Sequence, residues 1–105
     1  MSMNPVVFEA IALRKALIGT YNRQQMVLAP HILYTRHGEL YIDAVALERD
    51  GQPPKEVKLG TFKLDGLKDL AMEGRSFDRQ PVFDPRHERY VGETLFAIEE
   101  MQPAG

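Results

Sequence analysis

The chain has 105 residues, 44% of them apolar and 27% charged, with 13 basic against 15 acidic side chains and a formal charge of −2. That is the size and composition of one folded domain with a modest core, without the basic excess that most nucleic-acid binders carry. There is no cysteine, which excludes disulfides, thiolate catalysis and cysteine-based zinc sites.

Asn4-Pro5 marks a helix start, since Asn can cap the first free amides and proline's fixed φ suits the first helical position. The run of helix formers that follows predicts a helix over about residues 4–17. Phe8, Ile11, Ala12 and Lys15 fall on one face, with Val7, Ala10 and Leu17 close by. Such a helix is apolar on more than one side and is expected to lie against a sheet. Gly19 breaks the pattern, and Ile18–Tyr21 turns toward extended structure.

Barrel strands are predicted over about residues 18–73. Met26-Val27-Leu28 leads to Pro30, which belongs at a strand edge or bulge because it has no amide hydrogen to donate. Ile32-Leu33-Tyr34 follows, then a turn at Arg36-His37-Gly38-Glu39. Leu40 to Leu47 alternates with both faces substantially apolar, as in a strand covered on each side. Asp50-Gly51 is a strong turn signal, extended by Gln52-Pro53-Pro54. Val57, Leu59, Phe62 and Leu64 occupy two registers that one extra residue at Gly60 or Thr61 would reconcile, Gly60 being a natural site for a bulge. Leu67–Met72 is a candidate last strand ended by Gly74. A tail, residues 74–105, carries Pro81, Pro85 and the apolar-rich Tyr90–Ile98. One helix and four or five short strands predict a single mainly β (α+β) domain, residues 1–105: a small, bent antiparallel sheet or barrel with an N-terminal helix.

The candidate chemistry is sparse. His31, His37 and His87 have no metal-ligand spacing, and Ser76, Asp84 and His87 lack the glycine framework of a nucleophile. Gly60 and Gly66 are isolated, so no phosphate loop is present. A basic and aromatic surface is left: Arg23, Arg36, Lys58, Lys63 and Lys68 with Tyr21, Tyr34 and Tyr41. On one face they would join charge to stacking platforms. Otherwise the tyrosines pack in strands and the cations form a solvated rim.

Five short motifs in order resemble the WYL domain family. They are Ala10-Ile11 ahead of Tyr21; Pro30-His31 followed by Leu33; Leu40-Tyr41-Ile42 in place of the naming Trp-Tyr-Leu triplet; Thr61-Phe62-Lys63-Leu64-Asp65; and the stretch from Phe77 to Pro81-Val82-Phe83-Asp84. The resemblance implies an SH3-like or Sm-like barrel with an N-terminal helix. It also implies a non-enzymatic sensing module of bacterial transcription regulation, whose relatives hold nucleic acid or nucleotide-like ligands through arginines. The segment before the first predicted barrel strand is too short for a helix-turn-helix, so the chain resembles the free-standing members. The family's arginine positions fall here on Met26, Gly60 and Gly66, and Lys63 alone keeps a positive charge at such a place.

The expected ligand-binding residues are Tyr21, Arg23, His31, Tyr41 and Lys63, with a nucleotide or single-stranded nucleic acid as ligand and no catalytic residue, metal or cofactor. The alternative is a protein-interaction or homodimerisation module, with the Tyr90–Ile98 segment folded back on its own domain or paired with another copy. No stretch approaches about 18 consecutive apolar residues, so a cytoplasmic protein without membrane contact is expected.

Overall fold

Three tight turns set the path of the chain, which a computed structural model describes over residues 5–98. Strand β1 (Lys15–Tyr21) meets β2 (Gln24–Arg36) through Asn22 and Arg23, whose φ angles are 50° and 66°. Strand β2 meets β3 (Glu39–Arg49) through His37 and Gly38, at 53° and 77°. Asp50 and Gly51, at 50° and 81°, close the third turn, with Arg49 bridged to Gln52. Two consecutive left-handed residues make a type I′ turn, whose twist matches that of the flanking strands.

Helix α1 is shorter than predicted. It spans Pro5–Leu13, and Arg14 adopts a left-handed φ of 56°, so Lys15-Ala16-Leu17 opens β1 instead. Local helix preference loses because β1 lies between β2 and β5 (Lys68–Ser76), where Ala16 and Leu17 are wholly buried. The buried stripe of the helix is Val7, Ala10 and Ile11; Ala12 is exposed, and Phe8 is half-buried with its ring 5.7 Å from that of Phe96. Asn4, the expected cap, and the tail beyond Ile98 lie outside the described residues.

The sheet is antiparallel throughout and follows the order β4-β3-β2-β1-β5, where β4 is Leu59–Lys63. It is not closed, and β4 and β5 are the two ends of the path. A 3₁₀ turn, Leu64–Gly66, carries the chain from one end to the other. The coarse expectation, mainly β with one N-terminal helix, holds.

Pro30 sits where its missing amide hydrogen does least harm. The β2–β3 register skips between Pro30 and Ile32, so His31 is the extra residue of a bulge. On its other edge β2 pairs with β1 as far as Leu28 and with β6 (Thr94–Ala97) from Ile32 onward. The expected bulge at Gly60 is not there: β3 and β4 stay in step from Val45↔Leu59 to Tyr41↔Lys63. Val57 lies outside the strand and is exposed, so there is no second register to reconcile. Strand β5 begins at Lys68 and runs on past Gly74 to Ser76.

The tail packs on its own sheet. Phe77, Phe83, Tyr90 and Ile98 are buried, the Ile98 amide donates to the His31 carbonyl at 2.7 Å, and β6 pairs β2.

Candidate functional site

Alternation along β3 puts Tyr41 and Asp43 on one face of the sheet and Ile42 on the other. The register adds Tyr34 from β2 and Thr61 and Lys63 from β4 to the Tyr41 face. Asp43 has no exposed surface, yet it is well supplied with donors. The Tyr34 hydroxyl donates to its Oδ1 at 2.7 Å and the Tyr90 hydroxyl to its Oδ2 at 2.5 Å, while an Arg89 nitrogen stands 3.5 Å from Oδ2. A buried carboxylate persists only when it is so compensated. Burial, reinforced by Asp43, pushes the Tyr34 phenol up to about 12, and the same causes in the same order push Tyr90 higher still. The arrangement ties β2, β3 and the tail to one point. It offers no acid–base pair to a substrate, because the carboxylate is shut away from solvent.

Outward of this cluster lies a surface with different properties. Tyr41 is half-buried and stacks on Tyr34, the ring centres 6.0 Å apart at 26°. Lys63, directly opposite Tyr41, pairs with Glu39 at 2.9 Å, and both charged ends are partly solvated. Glu39, by hydrogen bond and charge, holds the Lys63 ammonium above its ordinary value. An exposed pair of this kind is worth little, so a stronger anion can take the place of Glu39.

The other three expected residues lie elsewhere. Tyr21 faces the opposite side, with its ring edge-on to Phe62 at 5.2 Å. Arg23 is exposed in the β1–β2 turn. His31 is interior: Nδ1 faces the Ala29 carbonyl at 2.8 Å, and Nε2 accepts the Gln80 amide hydrogen at 3.0 Å. Its ring lies between Phe77 and Phe83, each 5.3 Å away. Burial, foremost, lowers its pKa from 6.5; the Ala29 contact opposes that and Arg79 adds to it. His31 therefore fastens the tail to the bulge.

The positions where the family resemblance places arginines are filled by packing. Met26 is buried in the core. A Cβ at Gly66 would stand 2.8 Å from Tyr21 Cε1, and one at Gly60 would stand 3.1 Å from Phe62 Cε2. The Tyr21–Phe62 pair thus covers the backbone at both glycines.

Among the described residues there is no His, Asp and Glu grouping able to hold a metal ion. Ser76, Asp84 and His87 each have separate partners: Lys15 donates to the serine, the Arg86 amide to Asp84, and the Arg89 amide to His87. A cleft of about 610 Å³ beneath the loop after β3 has mixed-sign walls, Glu48, Arg49, Asp50 and Lys55 among them. Glu48 there already pairs with Arg75, and Asp50 receives the Gln25 amide. No family model matches this chain, and neither does any curated protein or solved structure. No helix among the described residues is long and apolar enough to cross a membrane.

Asp43, Arg89 and Tyr90 were missing from the residues expected to matter. One signal was available: Asp43 is the lone charge within the apolar run Leu40–Leu47. Arg89 and Tyr90 lie 46 and 47 residues from it, beyond the reach of any local pattern.

Proposed function

We propose that this chain is a non-enzymatic binding module of WYL type, its open sheet an SH3-like roll, and that it takes a nucleotide or short single-stranded nucleic acid on the face carrying Tyr41 and Lys63. The observation that carries this reading is the partly exposed Tyr41, its ring stacked on Tyr34 and flanked by a cation in a replaceable ion pair. A braced ring has little freedom left to lose when a base stacks on it, and Lys63 would meet phosphate in place of Glu39. The five ordered sequence motifs and the strand order β4-β3-β2-β1-β5, with a 3₁₀ turn between the outer strands, support the family reading. The arginine positions of that family, filled here by Met26 and the Tyr21–Phe62 pair, move the expected contact to the Tyr41 face.

Titration with a labelled single-stranded oligonucleotide at low salt tests this. Tyr41→Ala is expected to weaken binding about fivefold to 150-fold, since stacking on an aromatic contributes about 1–3 kcal/mol per base. Lys63→Ala is expected to weaken it less and to flatten its salt dependence. Absence of binding, or binding indifferent to both substitutions, overturns the proposal.

A further inference from the structure

A second cleft, of about 380 Å³, opens between the segment leading into β4 and the tail. Its apolar lining comes from Val57, Leu59, Val82 and the Tyr90 ring. Val57 and Val82 are 56% and 47% exposed, so two branched side chains face solvent across it. Clefts of this size with apolar walls and a few converging polar groups are the usual form of a small-molecule site.

The polar groups around this cleft are almost all donors. Lys58 carries an ammonium paired only loosely, at 3.2 Å, with an exposed Glu56. Arg89 is held in place from three directions: by Asp43, by the Tyr90 ring 5.9 Å below its guanidinium, and by His87. His87 Nδ1 accepts from the Arg89 backbone amide at 3.2 Å, which leaves the ring proton on Nε2 as a further donor. The one carboxylate in the lining, Asp84, already receives the Arg86 amide hydrogen on Oδ1. Three cationic or donor groups on an apolar floor call for a ligand with an anionic acceptor at one end and a hydrocarbon body at the other.

We propose that this cleft binds a small organic carboxylate with a compact apolar body, branched or single-ringed. The carboxylate meets Arg89, His87 and Lys58, and the body rests on Val57, Leu59 and Val82. Its lining includes neither Tyr41 nor Lys63, which lie further along the same face of β3 and β4.

The test is an amide-shift NMR titration of the full chain with 3-phenylpropionate at low salt, alongside its neutral amide. Saturable shifts are expected over residues 57–59 and 82–90, with a Kd on the order of 1 mM for a ligand this small, and about tenfold weaker binding of the amide. Lys58→Gln, an exposed change, is expected to weaken binding about threefold, and Val82→Asp about tenfold or more. Lys63→Ala leaves it unchanged, so failure here and failure of the oligonucleotide titration can be told apart. Equal binding of acid and amide, indifference to both Lys58→Gln and Val82→Asp, shifts centred elsewhere, or none up to about 20 mM each overturn the proposal.

Discussion

Asp43 shows how a single side chain can decide the form of a small domain. It accepts from two tyrosines that come from β2 and from the tail, and those hydroxyls have no better partner once buried. Asp43→Asn keeps the shape but replaces a charged acceptor by a neutral amide. Denaturant unfolding is expected to show a loss of about 2 kcal/mol, as for a buried charge-assisted contact; an unchanged midpoint would mean that the hydroxyls find other acceptors. Gly66 makes a complementary case. Its φ is not in the left-handed range, so space and not backbone freedom selects glycine there, with the Tyr21 ring filling the place of a Cβ. Gly66→Ala is expected to cost about 1–2 kcal/mol by overpacking. That cost should largely vanish in a Tyr21→Ala background; if it persists there, the ring is not its source.

At the scale of elements, β2 is the organiser. Its first half pairs β1, its second half pairs β6, and the bulge between them turns His31 into the anchor of the tail. Protonated imidazole cannot accept the Gln80 amide hydrogen at Nε2. The folded pKa of His31 lies below 6.5, so the folded state binds fewer protons than the unfolded one. Stability from this group is therefore full above about pH 6.5 and is lost as pH falls through the lowered folded value. Hydrogen exchange should show the Gln80 amide losing protection as pH falls below about 6.5 toward the lowered folded value, and Tm should fall over the same range. In His31→Gln that slope should be missing, although the variant is less stable at neutral pH; a slope that survives belongs to another group.

The same elements show what local sequence carries and what it does not. Asp50-Gly51 and His37-Gly38 announced their turns, and Pro30 announced a bulge, because each involves backbone chemistry that a short stretch determines alone. The end of α1 was misplaced by four residues' worth of helix formers, from Arg14 to Leu17, since burial between two strands outweighs intrinsic preference. Of the residues grouped as the candidate site, Tyr41 and Lys63 come together across β3 and β4, whereas Tyr21 and His31 do not join them. Their positions depend on which face the twisted sheet turns inward and on where the tail crosses it.

For the molecule as a whole, the polar chemistry divides into a hidden part and an open part. Asp43, Tyr34, Tyr90 and His31 hold the tail to the sheet and are buried. Tyr41 and Lys63 lie at the surface of the same framework, so the sheet can present a braced ring and a cation without any of its own parts moving. The measurement that tests this most directly is an amide-shift map of the full chain saturated with a short oligothymidylate at low salt. Shifts should centre on β3 and β4 around Tyr41, Thr61 and Lys63, leave Tyr21 and Arg23 largely undisturbed, and collapse as salt is raised. Shifts centred on the Tyr21–Phe62 side, or a spectrum that does not change at all, would contradict it.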